Sequence, residues 1–260
     1  MKNKFFTLLL ILIGMSSLTV NAQKEVTLKL QPKQGQTFTC IAKANATTMI
    51  KVQGQSMTSA QLMEIRQVTN PKEVTSEQIV VETQIEAAKM NISQMGMNLE
   101  YDSEHPEKTS PMLAEQIKEL SSNIKKPITL TYDASGKIVG DNSKLEMNQL
   151  MNVFMELPKE KIEVGSKWSN KKTQSVRDKE FDVNMEYTVT AISKKSVDIS
   201  FTGNTDSSEV NGTFNGTASI NPQTGMVTNS TTKSTVSMTI SEQGLNLPIT
   251  ITGTTTVEVK

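Results

Sequence analysis

The chain of 260 residues has one cysteine, one histidine and one tryptophan. A single cysteine allows no internal disulfide and no cysteine-based zinc site. A single histidine excludes multi-histidine metal centres and leaves one candidate for histidine acid–base work. An excess of charge of either sign is also missing, because 27 Lys+Arg balance 27 Asp+Glu. The chain therefore carries no basic footprint for nucleic acid. It contains no Gly-x-Ser-x-Gly elbow, phosphate loop, dinucleotide fingerprint, His-Glu-x-x-His motif or calcium loop. These absences point away from an enzyme, and they assign no catalytic residue, cofactor or metal. No apolar run reaches the roughly 20 residues that a membrane-spanning helix needs.

What is present begins with a leader. Lys2 and Lys4 precede an apolar run from Phe5 to Ile13, Gly14 interrupts it, and Val20-Asn21-Ala22 supplies residues suited to cleavage. This pattern predicts a secretory signal peptide over 1–22, cut after Ala22, with a product in the periplasm or outside the cell. No cysteine lies at the cut to carry a lipid anchor.

The rest is dominated by period-two alternation, the mark of half-buried strands. Phe38, Cys40, Ala42, Ala44 and Ala46 share one face of a long strand, with Thr37, Thr39, Lys43 and Asn45 on the other. Gly54 turns the chain into a return strand that Asn70-Pro71 is expected to end. Ile79, Val81, Ile85 and Ala87 alternate, and the phase then shifts to Met90 and Ile92, predicting a bulge. A second set runs from Phe181 to Val259. One apolar and one polar face per strand is the antiparallel signature.

Two helices are expected between the sets, over 111–124 and 143–157. Ser110-Pro111 suits a helix start, and Leu113, Ile117, Leu120 and Ile124 form one stripe. Ser143 and Glu146 make a capping box before a Met-rich segment that ends at Leu157-Pro158. The fold expected is therefore mainly β: residues 23–260 form one domain of long antiparallel strands, an open curved sheet or half-barrel packed on two central helices. Two small β domains joined near 158–170 are the alternative arrangement.

Candidate sites follow from small and adaptable residues. Ala42, Ala44, Gly212 and Gly216 make inward faces small enough for something bulky to approach. Methionine adapts to irregular apolar pockets. An apolar pocket is accordingly expected among Ala42, Ala44, Met147, Met151, Phe154, Met155, Gly212 and Gly216. Cys40 reads as a buried thiol and Trp168 as a core or rim plug. Asp102, Glu104 and His105 read as a solvated loop. The turns at Asp133–Gly136 and Asn221–Gly225 echo one another, each a strand, a polar turn with glycine, and a strand.

The series Gly35-Gln36-Thr37-Phe38, Tyr101-Asp102-Ser103, Leu157-Pro158, Val164-Gly165-Ser166-Lys167-Trp168 and Thr224-Gly225 resembles a family of uncharacterised secreted or lipoprotein β proteins of Bacteroidota. That resemblance implies no activity and no functional residues. The strand–helix–strand layout is similar to LolA-type periplasmic lipoprotein carriers, at the level of fold analogy. The function expected is non-catalytic binding or carriage of an apolar, lipid-like small molecule. The alternative is a structural or protein-interaction module whose partner is a cell-envelope protein.

Overall fold

The computed structural model describes residues 25–140, 154–176, 179–242 and 245–260. The predicted signal peptide, Met147 and Met151 lie outside the described residues. Twelve strands build one antiparallel sheet: β1 Phe38–Val52, β2 Gln55–Val74, β3 Gln78–Gln94, β4 Met97–Asp102, β5 Ile128–Asp133, β6 Ile138–Val139, β7 Lys167–Val176, β8 Lys179–Ile192, β9 Val197–Asp206, β10 Val210–Ile220, β11 Val227–Glu242 and β12 Leu245–Val259. Their order is β6-β5-β3-β2-β1-β12-β11-β10-β9-β8-β7, with β4 beside the far half of β3. The two sets of strands meet where β1 pairs with β12, from Cys40↔Val259 to Ile50↔Ile249. The sheet is open, with β6 and β7 at its two edges.

Turn chemistry sets the hairpins. Gln53 and Gly54 both have positive φ (50° and 83°), as do Met95 and Gly96 (51° and 79°). Such pairs match the twist of the flanking strands. The expected phase shift is a bulge in β3, where Glu86 is the extra residue opposite Arg66–Gln67 and both Ala87 and Ala88 are buried. β2 does not end at Asn70-Pro71 as the sequence suggests. Proline is tolerated here because the Pro71 carbonyl accepts from Gly35 N–H on the side where β1 has already ended. The missing N–H therefore breaks no ladder.

The first of the two expected central helices is not supported. The stretch expected as a helix over 111–124 contains a 3-10 turn at Pro111–Leu113 and one short helix, α1 Lys118–Asn123; another 3-10 turn lies at Pro106–Lys108. Ser121 and Ser122 sit inside α1 and donate to the carbonyls of Lys118 and Glu119. Side chains of this type compete with helix formation, and a run this short is below what nucleates a stable helix. The apolar stripe still does its packing, since Leu113, Ile117 and Leu120 are buried. Of the second expected helix, residues 143–153 lie outside the described residues, and residues 154–157 are extended or irregular. Leu157 N–H instead donates to Ser135 O at 2.7 Å.

The core lies at one end of the sheet's inner face and is closed by chain segments without regular structure. Residues 25–31 cross it. Val26 exchanges backbone hydrogen bonds with Ile162, Leu30 N–H donates to Ala134 O, and Gln31 N–H donates to Thr224 O. This segment thereby ties the β5–β6 hairpin to the β10–β11 hairpin. Its Leu28 and Leu30, and Phe154, are each no more than 2% exposed. The echoing turns acquire a shared use here. A Cβ on Gly225 would strike the Lys29 carbonyl, and one on Gly136 would strike the Met155 carbonyl. Each turn glycine lets a crossing backbone come close.

Candidate binding site

The inner face carries two apolar clusters. The larger fills the closed end. The smaller comprises Phe181, Val183, Val210, Met238, Ile240 and Ile249 at the opposite ends of β8 and β10 to β12. Met185 packs against both clusters. A pocket of about 180 Å³ opens at this seam. Phe154 and Met155 enter it from the irregular stretch before β7, Met185 and Tyr187 from β8, Phe201 from β9, Phe214 and Ala218 from β10, and Val227, Ser230 and Thr232 from β11. Lys172 enters it from β7.

The strand register explains this selection. Trp168 faces Tyr187, Asn170 faces Met185 and Lys172 faces Val183, so all three β7 residues share the inner face with the apolar side of β8. The Trp168 ring stacks on Tyr187 with centroids 5.0 Å apart, and its Nε1 donates to the Glu156 carbonyl at 3.2 Å. Burial pushes the Tyr187 hydroxyl up to about 12, with the Asn170 hydrogen bond acting the other way. Burial likewise lowers the Lys172 ammonium, while the Glu156 carboxylate pulls it upward. Lys172 and Tyr187 are the titratable groups of the pocket.

A second concavity of about 630 Å³ crosses the opposite, outward face. Register lays its floor in two rows across β12, β1, β2, β3 and β4: Thr254, Asn45, Leu62, Asn91 and Glu100, then Thr256, Lys43, Glu64, Lys89 and Asp102. The second row is a ladder of opposite charges. Lys43 lies 3.1 Å from Glu64, and Lys89 lies 3.1 Å from Asp102. Arg66 and Lys89 also hold Glu104, at 2.8 and 3.6 Å. Both carboxyls sit below their usual range. For Glu104 the Arg66 hydrogen bond dominates; for Asp102 hydrogen bonds from the Glu104 backbone and Lys89 overcome an opposing desolvation. The Asp102–His105 loop is therefore organised by Arg66 and Lys89. Leu62, at 55%, is the exposed large apolar residue among those lining the groove.

The structure separates the residues expected to line one pocket. Phe154 and Met155 line the seam pocket. Ala42 is buried in the larger cluster, and Ala44, on the same inward face of β1, also borders the outward groove from between Lys43 and Asn45. Gly216 underlies the Phe201 ring, and Gly212 is flanked by Thr205, Phe214 and Val236. The small inward positions are thus occupied by side chains of neighbouring strands. Cys40 is fully buried, and burial pushes its thiol up to about 12. Lys172, Tyr187, Phe201 and Phe214 were not singled out in the sequence. The phase set by Trp168 would have placed Lys172 inward, but two adjacent lysines carry no apolar signal for an inward face.

A model of a family of unknown function, DUF6263, matches residues 141–227. This gives the expected likeness to uncharacterised proteins a counterpart over that stretch. No curated protein matches the sequence. Among solved structures, one describing lipid–protein interactions in lipovitellin aligns with a TM-score of 0.53 at 10% identity. The alignment covers 88% of this chain and 25% of the lipovitellin chain, so this chain spans a quarter of that protein. At that identity the likeness is one of fold. An outer membrane channel from Pseudomonas putida F1 aligns over 89% of this chain and 97% of its own at 7% identity, with a TM-score of 0.29. No helix among the described residues is long and apolar enough to cross a membrane.

Proposed function

We propose that this is an exported, non-catalytic binding or carrier protein of the cell envelope that takes an apolar, lipid-like ligand at the seam of its inner face. The observation that carries the reading is the seam pocket, walled by Phe154, Tyr187, Phe201 and Phe214. Apolar and aromatic walls with few polar groups are the usual make-up of a small-molecule site. Likeness in fold to lipovitellin, a protein described through its lipid interactions, is compatible with it. Export rests on the N-terminal leader pattern.

The test is titration of the protein with a fluorescent apolar probe, beside a Thr232→Phe variant. Thr232 is half-buried and lines the pocket. Phenylalanine suits a strand, so the variant should fill the pocket and keep the melting temperature. Saturable binding lost in Thr232→Phe supports the reading; no saturable binding to the unaltered protein overturns it. A second reading, a protein-interaction module, is favoured by Leu62 in the outward groove. Probe binding that survives Thr232→Phe and disappears in Leu62→Glu would shift the site to that groove.

A further inference from the structure

We propose that the occupant of the seam pocket is a single-chain anionic amphiphile, with its head at Lys172 and Asn170 on the edge strand and its chain between Phe201, Phe214 and Met185. This rests on the reading of the pocket as an apolar-ligand site, and it adds the chemistry of the ligand.

The first argument is the odd position of Lys172. β7 carries two outward lysines that have ordinary partners: Lys167 lies 3.1 Å from Glu186, and Lys171 lies 2.9 Å from Asp182. Lys172 points the other way, half-buried among Phe154, Met155 and Met185. Among the described residues it makes no hydrogen bond or ion pair, and Glu156 acts on it only through its charge. A cation taken partly out of water without a close counter-ion is unfavourable. An anionic group in the pocket would compensate for it.

The second argument is independent of charge. Four buried side-chain atoms among the described residues have no hydrogen-bond partner, and one of them is Asn170 Nδ2. Asn170 is two residues from Lys172 on the same face, and its Oδ1 accepts from the Tyr187 hydroxyl at 3.4 Å. An unused amide donor beside an unpaired ammonium is a pair of donors suited to one anionic oxygen pair.

The third argument is size. About 180 Å³ is small against the roughly 300–1,000 Å³ of drug-sized sites. It admits one chain end and excludes paired acyl chains or a fused-ring lipid. The ammonium and the unpaired amide lie at the β7 edge, whereas β11 offers only the hydroxyls of Ser230 and Thr232, which places the head at β7 and the chain toward Phe214.

A competing account exists, because inward charges also guard sheet edges against pairing with other chains. It makes a different prediction: removing the charge promotes aggregation and leaves ligand preference alone. The experiment is calorimetric titration of the full chain with decanoate and, separately, decanol, below micelle-forming concentrations. Decanoate should bind about tenfold or more tighter than decanol, the scale of one charge-assisted hydrogen bond. Lys172→Met should abolish that ratio while leaving decanol binding in place. Glu156→Gln, which removes the competing carboxylate, should tighten decanoate and leave decanol unchanged; it also serves if Lys172→Met fails to fold. Lys171→Gln should change neither. Equal affinity for the two probes in the unaltered protein, or a ratio retained in Lys172→Met, overturns the proposal and leaves an uncharged apolar site standing. If neither probe binds, the apolar-ligand reading falls as well.

Discussion

The two ends of the inner face share β8 and β10 to β12 but are closed by different means. At one end Phe38 and Cys40 of β1, Ile65 of β2 and Ile199 of β9 are buried under the crossing segments, with Leu30, Phe154 and Leu157 pressed onto them. At the other, Phe181, Val210, Met238 and Ile249 are buried largely against one another and against half-buried neighbours such as Phe214 and Val236. Between the ends the inward positions are small or hydroxylated: Ala44 and Ala46 on β1, Ser230, Thr232 and Ser234 on β11, Gly253 and Thr255 on β12. β1, β11 and β12 therefore read apolar, small, apolar along their inner faces. A sheet with this pattern has two cores and a gap between them, and the pocket occurs at that gap.

The contrast is broken most directly by removing the largest anchor of the closed end. Phe154 is 1% exposed and meets Tyr132 and Phe38 edge-on, at centroid distances of 4.7 and 5.9 Å. Phe154→Ala should cost about 3–5 kcal/mol, and Met238→Ala at the other end should fall near the lower limit of about 2. Urea unfolding of both variants measures this. Equal losses would mean that the open end is as firmly packed as the closed one.

The next effect tests whether the crossing segment closes the core. Gly225 has φ of +67° and would drive a Cβ into the Lys29 carbonyl; Gly35 has φ of +75° with open space around it. The left-handed conformation alone disfavours alanine by about 1–2 kcal/mol. Gly35→Ala should show that amount and no more. Gly225→Ala should exceed it, and amide exchange at Leu30 and Gln31 should rise, because their bonds to Ala134 and Thr224 depend on the close approach. Equal losses in the two variants would make the segment a passive covering.

Much of this arrangement was readable in the residues, for a physical reason. Alternation reports which side of a strand meets water, so β1, β8 and β10, the bulge near Glu86 and the hairpin at Gly54 all follow from pattern and turn chemistry. Closure of the core was not readable. The sequence suggests helices because Leu113, Ile117 and Leu120 recur at helical spacing, yet that spacing also serves a chain of turns with one buried side. Phe154 and Leu157 reach the core as an extended segment whose bonds go to a distant hairpin, a long-range pairing that local periodicity does not encode. The site suffered similarly. Phe154 and Met155 do meet the pocket, but Gly216 is small to admit Phe201 from the next strand. Lys172 was hidden because inwardness is a property of register, while a Lys-Lys pair suggests solvent.

A smaller, pH-dependent effect belongs to the turn that receives the crossing backbone. Asp133 Oδ1 accepts from Ser135 Oγ at 2.6 Å, Ser135 N–H at 2.9 Å and Lys137 N–H at 3.0 Å. Burial pulls its carboxyl upward, but these bonds prevail and hold it below the usual value. With the folded value below the unfolded one, the contribution is present above the ordinary carboxylate pKa of about 3.9 and is lost as pH falls through the folded value. Asp133→Asn should cost about 1 kcal/mol at neutral pH and much less at about pH 2. Urea midpoints at the two pH values measure it. A loss independent of pH would assign the effect to turn shape alone.

The smallest effect should come from the outward face, which sharpens the contrast by staying out of it. The Lys43–Glu64 pair joins neighbouring strands at 3.1 Å, but the two side chains are 63% and 45% exposed. Exposed pairs contribute about 0–1 kcal/mol and weaken with salt. Lys43→Gln should therefore change stability by roughly 0.5 kcal/mol or less, with the difference vanishing in about 1 M salt. The open inner end and the outward groove lie on opposite faces of β1 and β12, so this substitution should leave the Met238→Ala loss unchanged when the two are combined. Additive losses confine the mechanics of the fold to the inner face. A coupled loss would mean that the charge ladder helps set the curvature that holds the second apolar cluster together, and the outward groove would then be part of the same mechanical unit as the seam pocket.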